Sequence, residues 1–176
     1  MTSDVQPIEA TLGVAEHVAN LLRAEGIGTV LIGAMALAVH GYPRDTVDLD
    51  LAAAIDPARL EHLASLLRAA GYAVDVYLPD AADPLGGVLD VRAAGAALVQ
   101  VVSFLNPPAQ GFPKLVADAI ATATPIVPDS TLQVVDLLHL IVFKLYAGGR
   151  KSERAILELL ARHPELAREA LRRLCR

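Results

Sequence analysis

Two acidic side chains, Asp48 and Asp50, hold most of the chemical content of this chain. They lie in Val47-Asp48-Leu49-Asp50-Leu51, whose alternation of period two predicts a half-buried strand. Residues two apart on a strand project from the same face. Both carboxylates therefore share one face, while Val47, Leu49 and Leu51 turn to the core. Strand rise sets the two alpha carbons roughly 6–7 Å apart. Carboxylates that close repel by roughly 2–3 kcal/mol at an effective dielectric of about 20. A divalent cation between them converts that cost into binding. Hard oxygen donors favour magnesium or manganese, which keep coordination positions open for phosphate oxygens.

A second feature lies one short helix upstream. Gly33 stands where the apolar strand Thr29–Ile32 hands over to a helix. A helix N-terminus offers free N–H groups and partial positive charge, and a residue without a side chain lets phosphate approach closely. Phosphate at Gly33 and Ala34, beside a metal held by Asp48 and Asp50, is the layout of phosphoryl or nucleotidyl transfer. Taken singly, an Asp-x-Asp strand is usually a solvated face and a strand–Gly–helix a tight turn. It is their joint occurrence that points to a site.

The segment Gly33 to Leu51, GAMALAVHGYPRDTVDLDL, resembles the core motif of the nucleotidyltransferase (polymerase-beta-like) superfamily. It is most similar to small bacterial members of the AbiEii-type toxin group. Gly33-Ala34, His40-Gly41, Arg44 and Thr46-Val47-Asp48-Leu49-Asp50 carry the resemblance. It implies a mixed α/β (α+β) sheet flanked by helices, with Asp48 and Asp50 binding the metal, Mg2+ or Mn2+, of a nucleoside triphosphate. Gly33 and Ala34 would line the triphosphate and Arg44 would steady phosphate or the motif loop. The acceptor could be a protein side chain, a tRNA end or a small molecule.

The resemblance also implies a third carboxylate on a later strand. The corresponding apolar–x–apolar run here is Val99-Gln100-Val101, and a neutral amide is neither a base nor a good metal ligand. Asp90 is the substitute. If the hairpin turns through Ala94-Gly95-Ala96, Asp90 lies opposite Gln100. Leu89, Val91, Val99 and Val101 then share the apolar face, and a one-residue slip would mix the faces. Asp90 could equally serve as a partner for Arg92. Gln100 also motivates an alternative, a catalytically impaired nucleotidyltransferase-fold binding module, such as a toxin–antitoxin component. A third alternative, an interaction protein without ligand, rests on the Ala- and Leu-rich C-terminal helices.

In the region where the superfamily carries a helical Lys and a basic–acidic segment stand Lys144, Arg150, Lys151 and Glu153. Lys144 either touches phosphate or lays its stem on apolar surface and reaches water. Arg150 and Lys151 read as charges behind a helix end, favourable there without any ligand. His40 reads as a cap of the short helix. Other motifs fail. Gly148-Gly-Arg-Lys-Ser152 lacks the Gly-Lys-Ser run of a phosphate loop, Gly26-Ile-Gly28 lacks a third glycine, and the five histidines and one cysteine show no zinc spacing.

The elements that must position these residues follow in order. Residues 8–25 form a helix ended by Gly26, and 29–32 a strand. Residues 34–40 form a helix, 47–51 a strand and 57–70 a helix. A strand at 72–78 precedes a hairpin of 88–92 with 98–104. After a loop holding three prolines at 106–113, a short helix covers 113–120. Pro125–Pro128 is at most a short edge strand. Asp129-Ser130 caps a helix from about 131 to 147, stopped by Gly148-Gly149, and two amphipathic helices broken at Pro164 complete the chain. This gives one domain, with a core at 1–105 and a mainly helical extension at 106–176.

Composition sets the outer bounds. The 176 residues carry a net charge of −5, which excludes a general polycation for nucleic acid. Residues 1–88 hold 4 basic and 12 acidic side chains, and 89–176 hold 11 and 8. An acidic half beside a basic half suits a cation site next to a phosphate site, or is ordinary surface variation. Hydrophobic residues at 54% and a mean hydropathy of +0.45 exclude disorder. With no Trp and 4% aromatics, the core comes from Ala, Leu, Val and Ile, and base-stacking platforms are not expected. One cysteine, Cys175, fits a reducing compartment. No signal peptide or membrane span is expected, so the setting read from sequence is cytoplasmic. The high hydropathy leaves room for a homodimer contact or an antitoxin partner.

Overall fold

The structure, a computed structural model, describes residues 5–46, 48–79, 85–106 and 113–166. Val47, Cys175, most of the loops expected at 79–84 and 106–113, and the helix expected after Pro164 lie outside those residues, apart from Glu165 and Leu166.

Helix α1 (Val5–Ala24) buries Ala15, Val18, Ala19 and Leu22, the i, i+3, i+4, i+7 stripe of a surface helix. Strand β1 (Thr29–Ile32) leads directly into α2 (Gly33–Val39). Strand β2 (Leu49–Ala53) follows, then a 3-10 turn at Pro57–Arg59 and α3 (Leu60–Ala69). Strands β3 (Ala73–Tyr77), β4 (Val88–Arg92) and β5 (Val99–Ser103) come next. After α4 (Pro113–Thr122) the chain makes β6 (Thr124–Pro125) and β7 (Gln133–Val134). Helices α5 (Leu137–Ala147) and α6 (Gly149–Arg162) complete the described chain.

The strands form one mixed sheet in the order β3-β4-β5-β2-β1-β7-β6. Strand β2 runs antiparallel to β1 and parallel to β5. The hairpin register is the expected one, with Asp90 opposite Gln100 and Leu89 opposite Val101. Leu31, Leu49, Leu51, Leu89, Val91, Val99 and Val101 are buried on one face, over which α1 and α3 pack. Each such side chain contributes about 1.5–3 kcal/mol by leaving water. The opposite face carries Asp75, Asp90, Gln100 and Asp50 in register across four adjacent strands, and α2 packs against β1 and β2.

Three expectations need correction. Strand β2 starts at Leu49, so Asp48 precedes the ladder instead of sharing it. Ile32, the last residue of β1, pairs with Asp50; the chain then turns into α2, leaving nothing on that side for residue 48 to pair with. The helix expected from 131 begins at Leu137. Gln133 and Val134 form β7 instead, with Val134 beside Leu31 of β1. The cap is Asp136, whose Oδ1 accepts from the His139 N–H at 2.9 Å, while Ser130 Oγ bonds Glu16 of α1. Arg150 and Lys151 lie in the first turn of α6, where the helix dipole disfavours cations, because Gly148 and Gly149 change the chain's direction without a linker.

Candidate active site

The site is built where β1 becomes α2. Gly33 is buried at φ +68, and a Cβ built on it would lie 1.8 Å from Asp50 Oδ2 and 2.8 Å from its Cγ. The carboxylate of β2 thus rests directly on the Gly33 backbone, a position and a φ that only glycine supplies without strain. The two halves of the sequence motif, 17 positions apart along the chain at Gly33 and Asp50, meet at this contact.

A cavity of about 420 Å³ opens beside it, with Gly33, Asp50 and Lys144 on its wall. Val102 follows Gln100 on the same face of β5. Phe104, Leu140 and Phe143 add apolar wall, and the two phenyl rings pack at 4.9 Å between centroids. Lys144 reaches the cavity because α5 presents Leu140, Phe143 and Lys144 at i, i+3, i+4 spacing.

The charges here are felt but not neutralised by contact. Burial pushes the Asp50 carboxyl above its ordinary range; Lys144 opposes this and Asp48 adds to it. Burial likewise pulls the Lys144 ammonium down, with Asp50 opposing and Arg44 reinforcing. Asp48, Asp50, Arg44 and Lys144 therefore lie within one electrostatic neighbourhood. Asp48 and Arg44 are exposed on the loop entering β2. Ala34 sits half-buried in the first turn of α2 and is not part of the cavity wall. Among the described residues no group of three or more His, Cys, Asp or Glu side chains clusters as a ready metal cage.

Asp90 has a different environment. It is buried, and its Oδ1 accepts from Gln100 Nε2 at 2.7 Å. Its Oδ2 accepts from Arg92 at 3.1 Å, and Arg92 also pairs with Asp75. Asp90 is two strands from Asp50, about 10 Å between alpha carbons at ordinary strand spacing. Because the carboxylate only accepts, it holds the nitrogen of the Gln100 amide towards itself and leaves the carbonyl oxygen turned away. His40 ends α2, and its ring donates to the Val135 carbonyl at 2.7 Å, a tie between α2 and the approach to α5.

The sequence did not reveal the apolar wall. Phe104, Leu140 and Phe143 read as ordinary core residues, and the misplaced start of α5 hid their shared orientation. The one available signal was the i, i+3, i+4 run ending on Lys144.

Together these elements can grip a doubly charged cation with hard oxygens, offer a cation to a phosphate, and shelter an apolar group alongside. No protein-family model matches the chain, and no curated protein matches it in sequence. Solved structures do match. A putative nucleotidyltransferase from Thermotoga maritima aligns at 13% identity and TM-score 0.57, over 87% of this chain and 94% of that one. An antigenic nucleotidyltransferase-like protein from Paracoccidioides brasiliensis aligns at 15% and 0.57, over 95% and 86%. The antibiotic-resistance factor ANT(2'')-Ia aligns at 13% and 0.56, over 94% and 89%. The chain spans only 30% of the longer terminal uridylyl transferase 4 from Trypanosoma brucei, at TM-score 0.40. The fold is of the nucleotidyltransferase type. No helix among the described residues is long and apolar enough to cross a membrane.

Proposed function

We propose that this chain is a metal-dependent nucleotidyltransferase that moves a nucleoside monophosphate from a nucleoside triphosphate to an acceptor hydroxyl. The observation that carries this is the seat of the Asp50 carboxylate on Gly33, at the mouth of a cavity that Lys144 shares. Asp48 and Asp50 would hold Mg2+ or Mn2+; two hard carboxylates two positions apart suit either ion. When bound, the metal supplies charge neutralisation at the transferring phosphoryl group. Gly33 and Ala34 give the phosphates room at the start of α2. Lys144 and Arg44 add positive charge to the same neighbourhood. The acceptor oxygen forms a bond to the α-phosphorus, the bond to the β-phosphate bridging oxygen breaks, pyrophosphate leaves, and the hydroxyl proton passes to solvent. Asp90 acts through Gln100, whose amide it fixes beside Asp50. The test is transfer of label from α-labelled nucleotides to candidate acceptors. Metal-dependent transfer by the wild type and its loss in Asp48→Ala are expected; unchanged behaviour of Asp48→Ala counts against the assignment.

A second function is favoured by Gln100 standing next to Asp50 while Asp90 is occupied by Arg92. The chain would then bind nucleotide without turning it over, as part of a toxin–antitoxin pair of the AbiEii kind in the cytoplasm. Calorimetry separates the two: nucleotide and metal binding with no transfer to any protein, tRNA or small-molecule acceptor supports the second, and any turnover removes it.

A further inference from the structure

We infer that the cavity beside Asp50 takes the acceptor, and that the acceptor is a small uncharged molecule with a flat apolar ring and a hydroxyl. This rests on the nucleotidyl-transfer assignment and adds the substrate class to it.

The wall chemistry carries the inference. Among the described residues only Asp50 and Lys144 are charged there, with opposite signs. A polycationic acceptor would surrender its hydration against one acid while facing the Lys144 ammonium, and a polyanionic acceptor would compete with the triphosphate for that ammonium; neither has enough partners for its buried charge. Apart from Tyr146, whose ring carries a hydroxyl, the remaining side chains of the wall are apolar. Val102 lines the cavity together with Phe104 and Phe143, whose rings are tilted at 50° to each other, an arrangement suited to the face and edge of a ring. At about 420 Å³ the space lies toward the small end of the roughly 300–1,000 Å³ that ligand sites occupy. The polar end at Gly33 and Asp50 is where the hydroxyl must lie to attack a triphosphate held over Gly33. The acceptor oxygen gains the α-phosphorus, pyrophosphate departs with the electrons of the broken bond, and the proton goes to solvent.

The experiment uses the full chain with 2-naphthol as the flat uncharged probe and tobramycin as the polycationic one. Binding is measured with magnesium and a saturating nonhydrolysable ATP analogue present. Ala147→Trp fills the cavity from an exposed position in the last turn of α5; should it melt early, Ala147→Leu is measured instead. The expected result is 2-naphthol binding with Kd below about 1 mM, weakened about tenfold or more by the filling variant, with nucleotide affinity kept and tobramycin bound no more tightly than 2-naphthol. Tighter tobramycin binding overturns the inference. So does displacement of 2-naphthol by the nucleotide analogue, which assigns the cavity to the nucleobase. Nucleotide binding without 2-naphthol binding overturns the acceptor class alone. Loss of metal-dependent nucleotide binding with 2-naphthol still held supports the ligand class and removes the transfer assignment.

Discussion

Asp50 and Asp90 stand on one face of one sheet, joined in register through Gln100, yet their surroundings are opposite in kind. Asp90 is buried with both oxygens engaged, by Gln100 at 2.7 Å and Arg92 at 3.1 Å. Asp50 is half-buried against Gly33, and no hydrogen bond or ion pair ties its carboxylate among the described residues. A carboxylate whose lone pairs are filled by its own protein contributes to folding. One that is partly desolvated and left with open lone pairs is costly to keep and has lone pairs free to accept from a ligand. The difference teaches that one residue type at neighbouring positions can be structural at one and available for chemistry at the other, according to what packs beside it.

The sharpest way to break the comparison is to remove the charge at each end. Asp50→Asn is expected to lower label transfer by about 1,000-fold or more without lowering the melting temperature, since it removes a partly buried unpaired charge. A stable variant with full transfer would place Asp50 with Asp90 as a structural acid. Gly33→Ala comes next. Its Cβ must displace the Asp50 carboxylate, and its φ of +68 is unfavourable for alanine. A loss of about 2–4 kcal/mol is expected, read by denaturant unfolding, together with loss of nucleotide binding. Lys144→Met keeps the apolar stem and removes the ammonium; transfer should fall about 100-fold, with a rise in nucleotide Kd seen by calorimetry.

At the other end, Asp90→Ala leaves the Gln100 amide without its acceptor and Arg92 with Asp75 alone. Unfolding stability should drop by about 1–3 kcal/mol, while nucleotide affinity stays within about twofold. A collapse of nucleotide binding in a folded Asp90→Ala protein would make Asp90 part of the nucleotide site and erase the contrast.

Residue order marked both Asp50 and Asp90 as candidate acids and gave the hairpin register of Asp90, but not the contrast between them. The alternation around Asp90 and Gln100 fixed the hairpin register, because any slip puts polar groups among Leu89, Val91, Val99 and Val101. A glycine between strand and helix, one short helix before the two acids, marked Gly33 and Asp50 as parts of one site, though not the direct seat of the carboxylate on the glycine. What could not be read was non-local. Gln133-Val134 is too short to signal a strand of its own and becomes β7 by pairing with Leu31 of β1 on one side and with β6 on the other. Asp48 leaves the ladder because β1 stops at Ile32, a constraint set by another segment. The cavity wall combines β5 with α5, more than 30 positions apart, and apolar residues carry no mark of whether they face core or cavity.

The smallest predicted effect concerns an acid that belongs wholly to the Asp90 kind. Glu16 of α1 reaches the loop before β7, where its Oε1 accepts from the Thr131 N–H at 3.0 Å and from the hydroxyls of Thr131 and Ser130, each at 3.1 Å. The Thr131 backbone bond, followed by the hydroxyl bonds, holds its carboxyl below the usual range. A lowered folded value means the unfolded chain binds the proton more readily. The contribution is therefore present above the ordinary glutamate value of about 4.3 and lost as pH falls through the lowered folded value. Glu16→Gln keeps an acceptor but not the charge, and exposure screens the rest, so the expected loss is about 1 kcal/mol or less at neutral pH. In thermal melts the gap between wild type and variant should close below about pH 4. A gap that persists unchanged into acid would show that the loop depends on the shape of the Glu16 side chain rather than its charge, and would remove Glu16 from the class of acids that fold the protein by being ionised.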